Sequence, residues 1–164
     1  MIYVIRTHPD RVLRRVAGVV GTMTDEIRLL CDDMVATMTA AHGLGLAANQ
    51  IAVPLRIIAI EAGSEKESDP LVLINPRIIR VEGEEAGEEG CLSIPGFYET
   101  VKRAKKAVVE GRGLDDREFT IECNGLLARA VQHEVDHLNG ILFIDYLSPI
   151  KKQLFKREYK KEKK

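Results

Sequence analysis

The segment QHEVDHLNG, residues 132–140, sets His133 and His137 four apart, with Glu134 directly after the first. On a helix this spacing puts both imidazoles on one face, where they can hold a metal ion. Glu134 is then turned roughly a hundred degrees away, within reach of a water at the metal but badly aimed as a ligand. A carboxylate so placed can take the water's proton without joining the coordination sphere. Leu126 and Ala130 precede the histidines by helical steps, so the four are expected to form one inward-looking face.

Two imidazoles do not complete a metal site. Zinc endopeptidases of the pattern H-E-x-x-H-x-x-G-x-x-H have a third histidine three residues beyond the glycine, and here that position is Phe143. Glu158 and Glu162 lie in a lysine-rich tail, His42 falls at a helix end and His8 in an N-terminal turn. Cys91 is the better third donor, because EEGCLSIPG is a polar setting in which no helical or strand periodicity calls for a small hydrophobe. Two histidines, one cysteine and one open position make a catalytic rather than a structural site. Imidazole and thiolate suit zinc, iron, cobalt or nickel alike.

These residues need a scaffold, and 164 residues with 45% hydrophobic and 30% charged side chains suit one soluble domain, 1–164, with a sizeable core. No apolar run approaches the length of a membrane span, and MIYVIRTHPDRVLRR turns charged after five residues, unlike a secretory signal. A cytoplasmic protein without disulfides is expected, its three cysteines remaining thiols. Residues 151–164 carry eight Lys or Arg against two Glu, a net of +6, which leaves −7 on residues 1–150. That basic tail is either a solvated helix or a dock for a polyanion such as ribosomal RNA.

Apolar residues recur at helical spacing from Thr24 to Ala41, with Cys31 inside the stripe. LRIIAIE and LVLINPRIIRV read as strands, the second interrupted or bounded at Pro76. EGEEAGEEG, residues 82–90, reads as a solvated loop or turn, and KKAVVEGRG with REFTIEC as a hairpin. A second helix is expected over 125–138, capped by Asn124 and stopped by Asn139-Gly140, and a third opens at Ser148-Pro149. The fold class is α+β: short, mostly antiparallel strands packed around a central metal-binding helix, with a C-terminal helix. GLGLAANQ fits the G-x-G-x-x-A dinucleotide fingerprint, but a helix precedes it where a strand is required, so no nucleotide cofactor is expected.

GLGLAANQ, EGCLS and QHEVDHLNG, in that order and without mismatch, resemble the motifs of the peptide deformylases, enzymes that remove formate from the N-terminal formylmethionine of new chains. The resemblance implies Cys91, His133 and His137 as metal ligands and Glu134 as general base and acid. It implies that Gln50 and the Leu92 N–H hold the formyl oxygen and that Gly45 pairs with substrate backbone. It also implies ferrous iron in the cell and ribosome docking through the basic C-terminal helix. Leu44, Leu126 and Ala130 are the expected walls of the methionine pocket. Tyr98 stands where some members have an arginine that binds peptide backbone. Arg129 stands where others have an aliphatic residue; its stem lines the pocket, or it pairs outward with a glutamate. Arg103 and Asp136 either orient a ligand or form a surface salt bridge. A binding protein without turnover and a zincin-type endopeptidase are the competing readings, the latter opposed by Phe143.

Overall fold

Thr24 opens the first helix, α1 (Asp25–Ala40), by accepting a hydrogen bond from the Ile27 N–H at 3.3 Å. Asp25 and Glu26 follow in the first turn, where negative charge opposes the positive end of the helix dipole. The computed structural model describes residues 1–63 and 69–162. Its strands are β1 (Gly45–Ala47), β2 (Ile57–Ile60), β3 (Leu71–Glu82), β4 (Glu85–Cys91), β5 (Ile94–Arg103), β6 (Lys106–Arg112) and β7 (Glu118–Asn124). Two further helices, α2 (Gly125–Leu138) and α3 (Pro149–Glu162), complete the expected α+β architecture.

Five strands form an antiparallel sheet in the order β1-β2-β3-β6-β7, and β4 pairs only with β5. The all-apolar IIAI of β2 is explained by cover on both faces. Ile58 and Ile60 pack with Leu73, Val131, Val135 and Leu138 toward α2, whereas Ile57 and Ala59 pack with Cys31, Met34 and Met38 toward α1. Each such fully buried aliphatic contributes about 1.5–3 kcal/mol by leaving water. The central helix is therefore fixed against the sheet along its length.

Pro76 does not end its strand. β3 runs through it with a register shift between Ile74 and Arg77, and Asn75 takes a positive φ of 52° to make the bulge. The Asn75 amide accepts from the Val20 N–H at 2.8 Å and donates to the Val20 carbonyl at 2.9 Å. The larger correction concerns EGEEAGEEG. Glu85 to Cys91 form a strand, not a solvated loop, and Ile94 to Arg103 form its partner. Local sequence argued against this because glutamate disfavours strands; what overrides it is the charge partnership of Glu89 with residues remote in sequence.

Asn124 takes the N-cap position of α2 without a side-chain hydrogen bond to the helix. The other end is held more firmly. Gly140 adopts φ of 72°, and a Cβ there would lie 2.5 Å from the Arg14 carbonyl oxygen. The buried Asn49 amide donates to the carbonyls of Arg15 and His137, each at 2.7 Å. α3 lays Phe155 and Tyr159 into a third core with Phe143 and Ile94. Phe155 meets Phe97 at 4.6 Å between ring centroids, Phe97 meets Phe143 at 5.9 Å, and Phe143 meets His133 at 6.0 Å. Lys151, Lys152, Lys156, Arg157 and Lys160 face solvent. Lys163, Lys164 and the side chains of Lys161 and Glu162 lie outside the described residues.

Candidate active site

α2 and the β4–β5 hairpin meet so that one donor atom each of Cys91, His133 and His137 lie within 4.8 Å of one another. The Cys91 sulfur is 3.2 Å from Nε2 of His137. Nδ1 of His133 faces Oε1 of Glu89 at 2.8 Å, so its Nε2 is the nitrogen left to point at the cluster. Glu89 is itself 6% exposed and takes Nε and Nη2 of Arg103, both at 2.9 Å, and Nη1 of Arg129 at 2.7 Å. Arg103 then reaches Asp136 at 2.5 Å, which also accepts from the Tyr146 hydroxyl at 2.7 Å. Arg103 and Asp136 thus belong to a buried network behind the histidines and not to a surface salt bridge.

Gln50 is fully enclosed beside the sulfur. Its oxygen accepts from the Ala47 N–H at 2.8 Å, and its nitrogen donates to the Ser93 hydroxyl at 3.0 Å and lies 3.6 Å from the Cys91 sulfur. Glu134 is buried against β1: a Cβ at Gly45 would fall 2.5 Å from its Oε1. Its Oε2 has no hydrogen-bond partner among the described residues. In front of these groups opens a cavity of about 430 Å³, lined among others by Leu44, Gly45, Leu92, Tyr98, Leu126 and Ala130. Leu44 and Leu126 are 55% and 65% exposed, so they form the rim of the cavity and Ala130 lies deeper. The face of α2 therefore looks inward from Ala130 onward, and Leu126 corrects the expectation by standing at the mouth.

The surroundings set the two imidazoles apart. Burial alone lowers the basicity of both imidazoles, but hydrogen bonds from the His133 ring to the Cys91 and Glu89 side chains reverse this at His133 and raise it well above the usual value. At His137 the charges of His133 and Arg103 add to burial and hold it well below. His137 is thus favoured in its neutral form, the form in which an imidazole can ligate a metal. Burial pushes the Glu134 carboxyl up to about 7.

A sequence model described as polypeptide deformylase matches residues 2–153. The chain belongs to the polypeptide deformylase family. A peptide deformylase from Thermodesulfovibrio yellowstonii is 44% identical over 160 residues, which covers 97% of each chain. The crystal structure of a peptide deformylase from Legionella pneumophila superposes with a TM-score of 0.93 at 44% identity, covering 99% of this chain and 96% of that one. A peptide deformylase from Synechococcus elongatus, solved in complex with actinonin, gives a TM-score of 0.87 at 42% identity over 90% of this chain and 81% of its own. Deformylases are metal-dependent hydrolases that remove the N-formyl group from nascent peptides, and this chain is one of them. No helix among the described residues is long and apolar enough to cross a membrane.

Relative to the deformylase motifs, sequence reasoning missed Glu89 and Ser93. Arg129 does not pair outward: it lines the cavity and turns its guanidinium onto the buried Glu89. A usable signal was the two-residue step from Glu89 to Cys91, which on a strand puts both on one face. His42 lines the cavity, and His8 packs at a tilt against Phe155 and Tyr159, with ring centroids 5.5 and 5.7 Å apart, so neither belongs to the cluster of Cys91, His133 and His137.

The Glu89 network has a measurable cost in acid. Burial would raise the Glu89 carboxyl, but hydrogen bonds from Arg103 and His133 and the Arg103 charge outweigh it and hold it at about 2, against an ordinary 4.5. A depressed folded-state pKa contributes stability that is fully present above the unfolded value and lost as pH falls through the folded one, here between about 4.5 and 2. In metal-free protein, Glu89→Gln should therefore reduce stability at pH 7 and flatten its decline over that window. Urea unfolding at a series of pH values measures it; parallel curves for the two proteins would count against the assignment.

Proposed function

We propose that Cys91, His133 and His137 hold one divalent metal ion per chain, and that at this centre the enzyme hydrolyses the formyl amide of N-formylmethionyl nascent chains with Glu134 as general base and then acid. The observation that carries this is the convergence of a sulfur and two imidazoles beside a buried carboxylate whose second oxygen is unpartnered among the described residues. Two nitrogens and a thiolate suit ferrous iron, expected in the cell on the family resemblance, and equally zinc, nickel or cobalt in a purified sample. When bound, such an ion makes a water acidic near neutral pH and polarises the formyl oxygen.

The chain's own groups do the rest. Glu134, with Oε2 unpartnered among the described residues, takes a proton from water and returns it to the departing amine. The Gln50 amide nitrogen and the Leu92 N–H hold the developing oxyanion; one preorganised donor of this kind is typically worth about 3–4 kcal/mol of barrier. β1 is the edge of its sheet, so Gly45 can pair with the backbone of an extended substrate. Leu44, Leu126 and Ala130 enclose the methionine side chain, and Tyr98 replaces a backbone-binding arginine at the outer end. The exposed cations of α3 dock the enzyme on the ribosome, in the cytoplasm where nascent chains emerge.

Formate release from formyl-Met-Ala, measured beside cleavage of an internal peptide bond and metal content after anaerobic purification, tests this reading. Formate without internal cleavage, in proportion to metal, is expected. Internal cleavage would replace it with an endopeptidase, and absence of both with a binding protein. Sedimentation with ribosomes at low salt, lost on truncation after Ser148, tests the docking; retained binding by the truncated protein would refute it.

A further inference from the structure

The three metal donors stand on two bodies that the backbone does not join into one sheet. His133 and His137 ride on α2, which packs against the five-stranded sheet, and Cys91 ends β4, which pairs with β5 alone. Something must hold the hairpin at the distance from α2 at which sulfur and imidazoles meet. Arg129, one helical turn before His133, reaches across that gap. Its Nη1 donates to Glu89 Oε2 at 2.7 Å and to the Val101 carbonyl at 2.8 Å, and lies 3.5 Å from the Gly87 carbonyl. Its Nη2 donates to the Glu85 carbonyl at 2.7 Å. One side chain from the helix thus engages both strands of the hairpin.

Gly87 completes the fit. A Cβ there would lie 2.9 to 3.1 Å from Nη2, Cζ and Nε of Arg129, so the guanidinium occupies the space a side chain would need. A planar fork with five donors can address acceptors on two strands together, whereas a lysine ammonium is a single point. We propose that Arg129, seated in the gap at Gly87, is a positioning residue that locks the Cys91 hairpin to the histidine helix and so sets the geometry of the metal site. Through Glu89 it also steadies the imidazole of His133, which shares that carboxylate. The proposal rests on the metal-site reading given above.

The test compares Arg129→Leu, Arg129→Lys, Gly87→Ala and the Arg129→Leu/Gly87→Ala double variant, each loaded with cobalt(II). Leucine keeps an apolar stem and removes every donor; Gly87→Ala leaves the arginine in the chain and displaces its head. Loss of cobalt to a chelator should be about 10–100-fold faster in Arg129→Leu and in Gly87→Ala, the range typical for partners that orient metal ligands. Arg129→Lys should fall between these and wild type. The thiolate-to-cobalt absorption band should shift and kcat per cobalt should fall; the Arg129 stem also lines the cavity, and a change confined to the cavity wall would leave the band where it is in wild type. In the double variant Gly87→Ala should add nothing, because the group it displaces is gone. Cobalt release and an absorption band like wild type in Arg129→Leu, or additive effects of the two changes, would overturn the proposal even if all variants were less heat-stable. Should Arg129→Leu fail to fold, Gly87→Ala and Arg129→Lys decide by the same readings. Wild-type protein that neither retains cobalt nor releases formate would instead overturn the metal-site reading, and this proposal with it.

Discussion

Cys91→Ser should release its metal and lose deformylation in the same proportion. A serine hydroxyl is not deprotonated near neutral pH, so the exchange removes the one anionic donor of the cluster and leaves two imidazoles. Loss of a group that only orients a ligand typically costs about 10–100-fold in metal affinity. Loss of a donor atom itself must cost more, so affinity should drop by at least about two orders of magnitude. The fold should tolerate the change, because Cys91 closes a hairpin and is only partly buried. Metal content after dialysis against a chelating resin and formate release per chain measure the two consequences. Full occupancy with undiminished turnover would remove Cys91 from the site.

Glu134→Gln separates binding from chemistry. The amide has the size of the carboxylate and fits the same buried slot against Gly45, but it has no lone pair basic enough to take a proton from water. Metal content should stay at the wild-type level, since Glu134 is not one of the clustered donors. Positioned proton transfer typically contributes about 10²–10⁴-fold, and here one group serves both the attack and the departure, so kcat should fall by about 10³-fold or more. KM should change little, as for an interaction made only in the transition state. A decrease of less than about tenfold would assign the proton transfer elsewhere.

Much of this was legible in local pattern, and the failures share a cause. α1, α2 and α3 follow from the 3.6-residue recurrence of apolar side chains and their caps, and β6 with β7 from the alternation of Phe119, Ile121 and Cys123 with polar neighbours. The paired imidazoles follow from helical spacing alone. The β4–β5 hairpin did not, because a run of glutamates looks solvated until Arg103 and Arg129, 14 and 40 residues from Glu89, are brought against it. Of the two settings open to Arg129, lining the cavity holds, but its acceptors belong to strands more than 25 residues away and do not follow from local pattern. Leu126 shares the helical phase of the histidines, yet the helix extends past the core there and the phase no longer implies burial.

The contact between Gly45 and Glu134 bears on escape from inhibition. A Cβ at position 45 would sit 2.5 to 2.9 Å from three atoms of the buried Glu134 side chain. Any replacement would displace the carboxylate proposed to move protons. A ligand anchored to the main chain of β1 at this point therefore leans on a position where any side chain must first shift Glu134. One that gains its affinity from the exposed Leu44, Tyr98 or Leu126 leans on side chains whose replacement displaces no buried group.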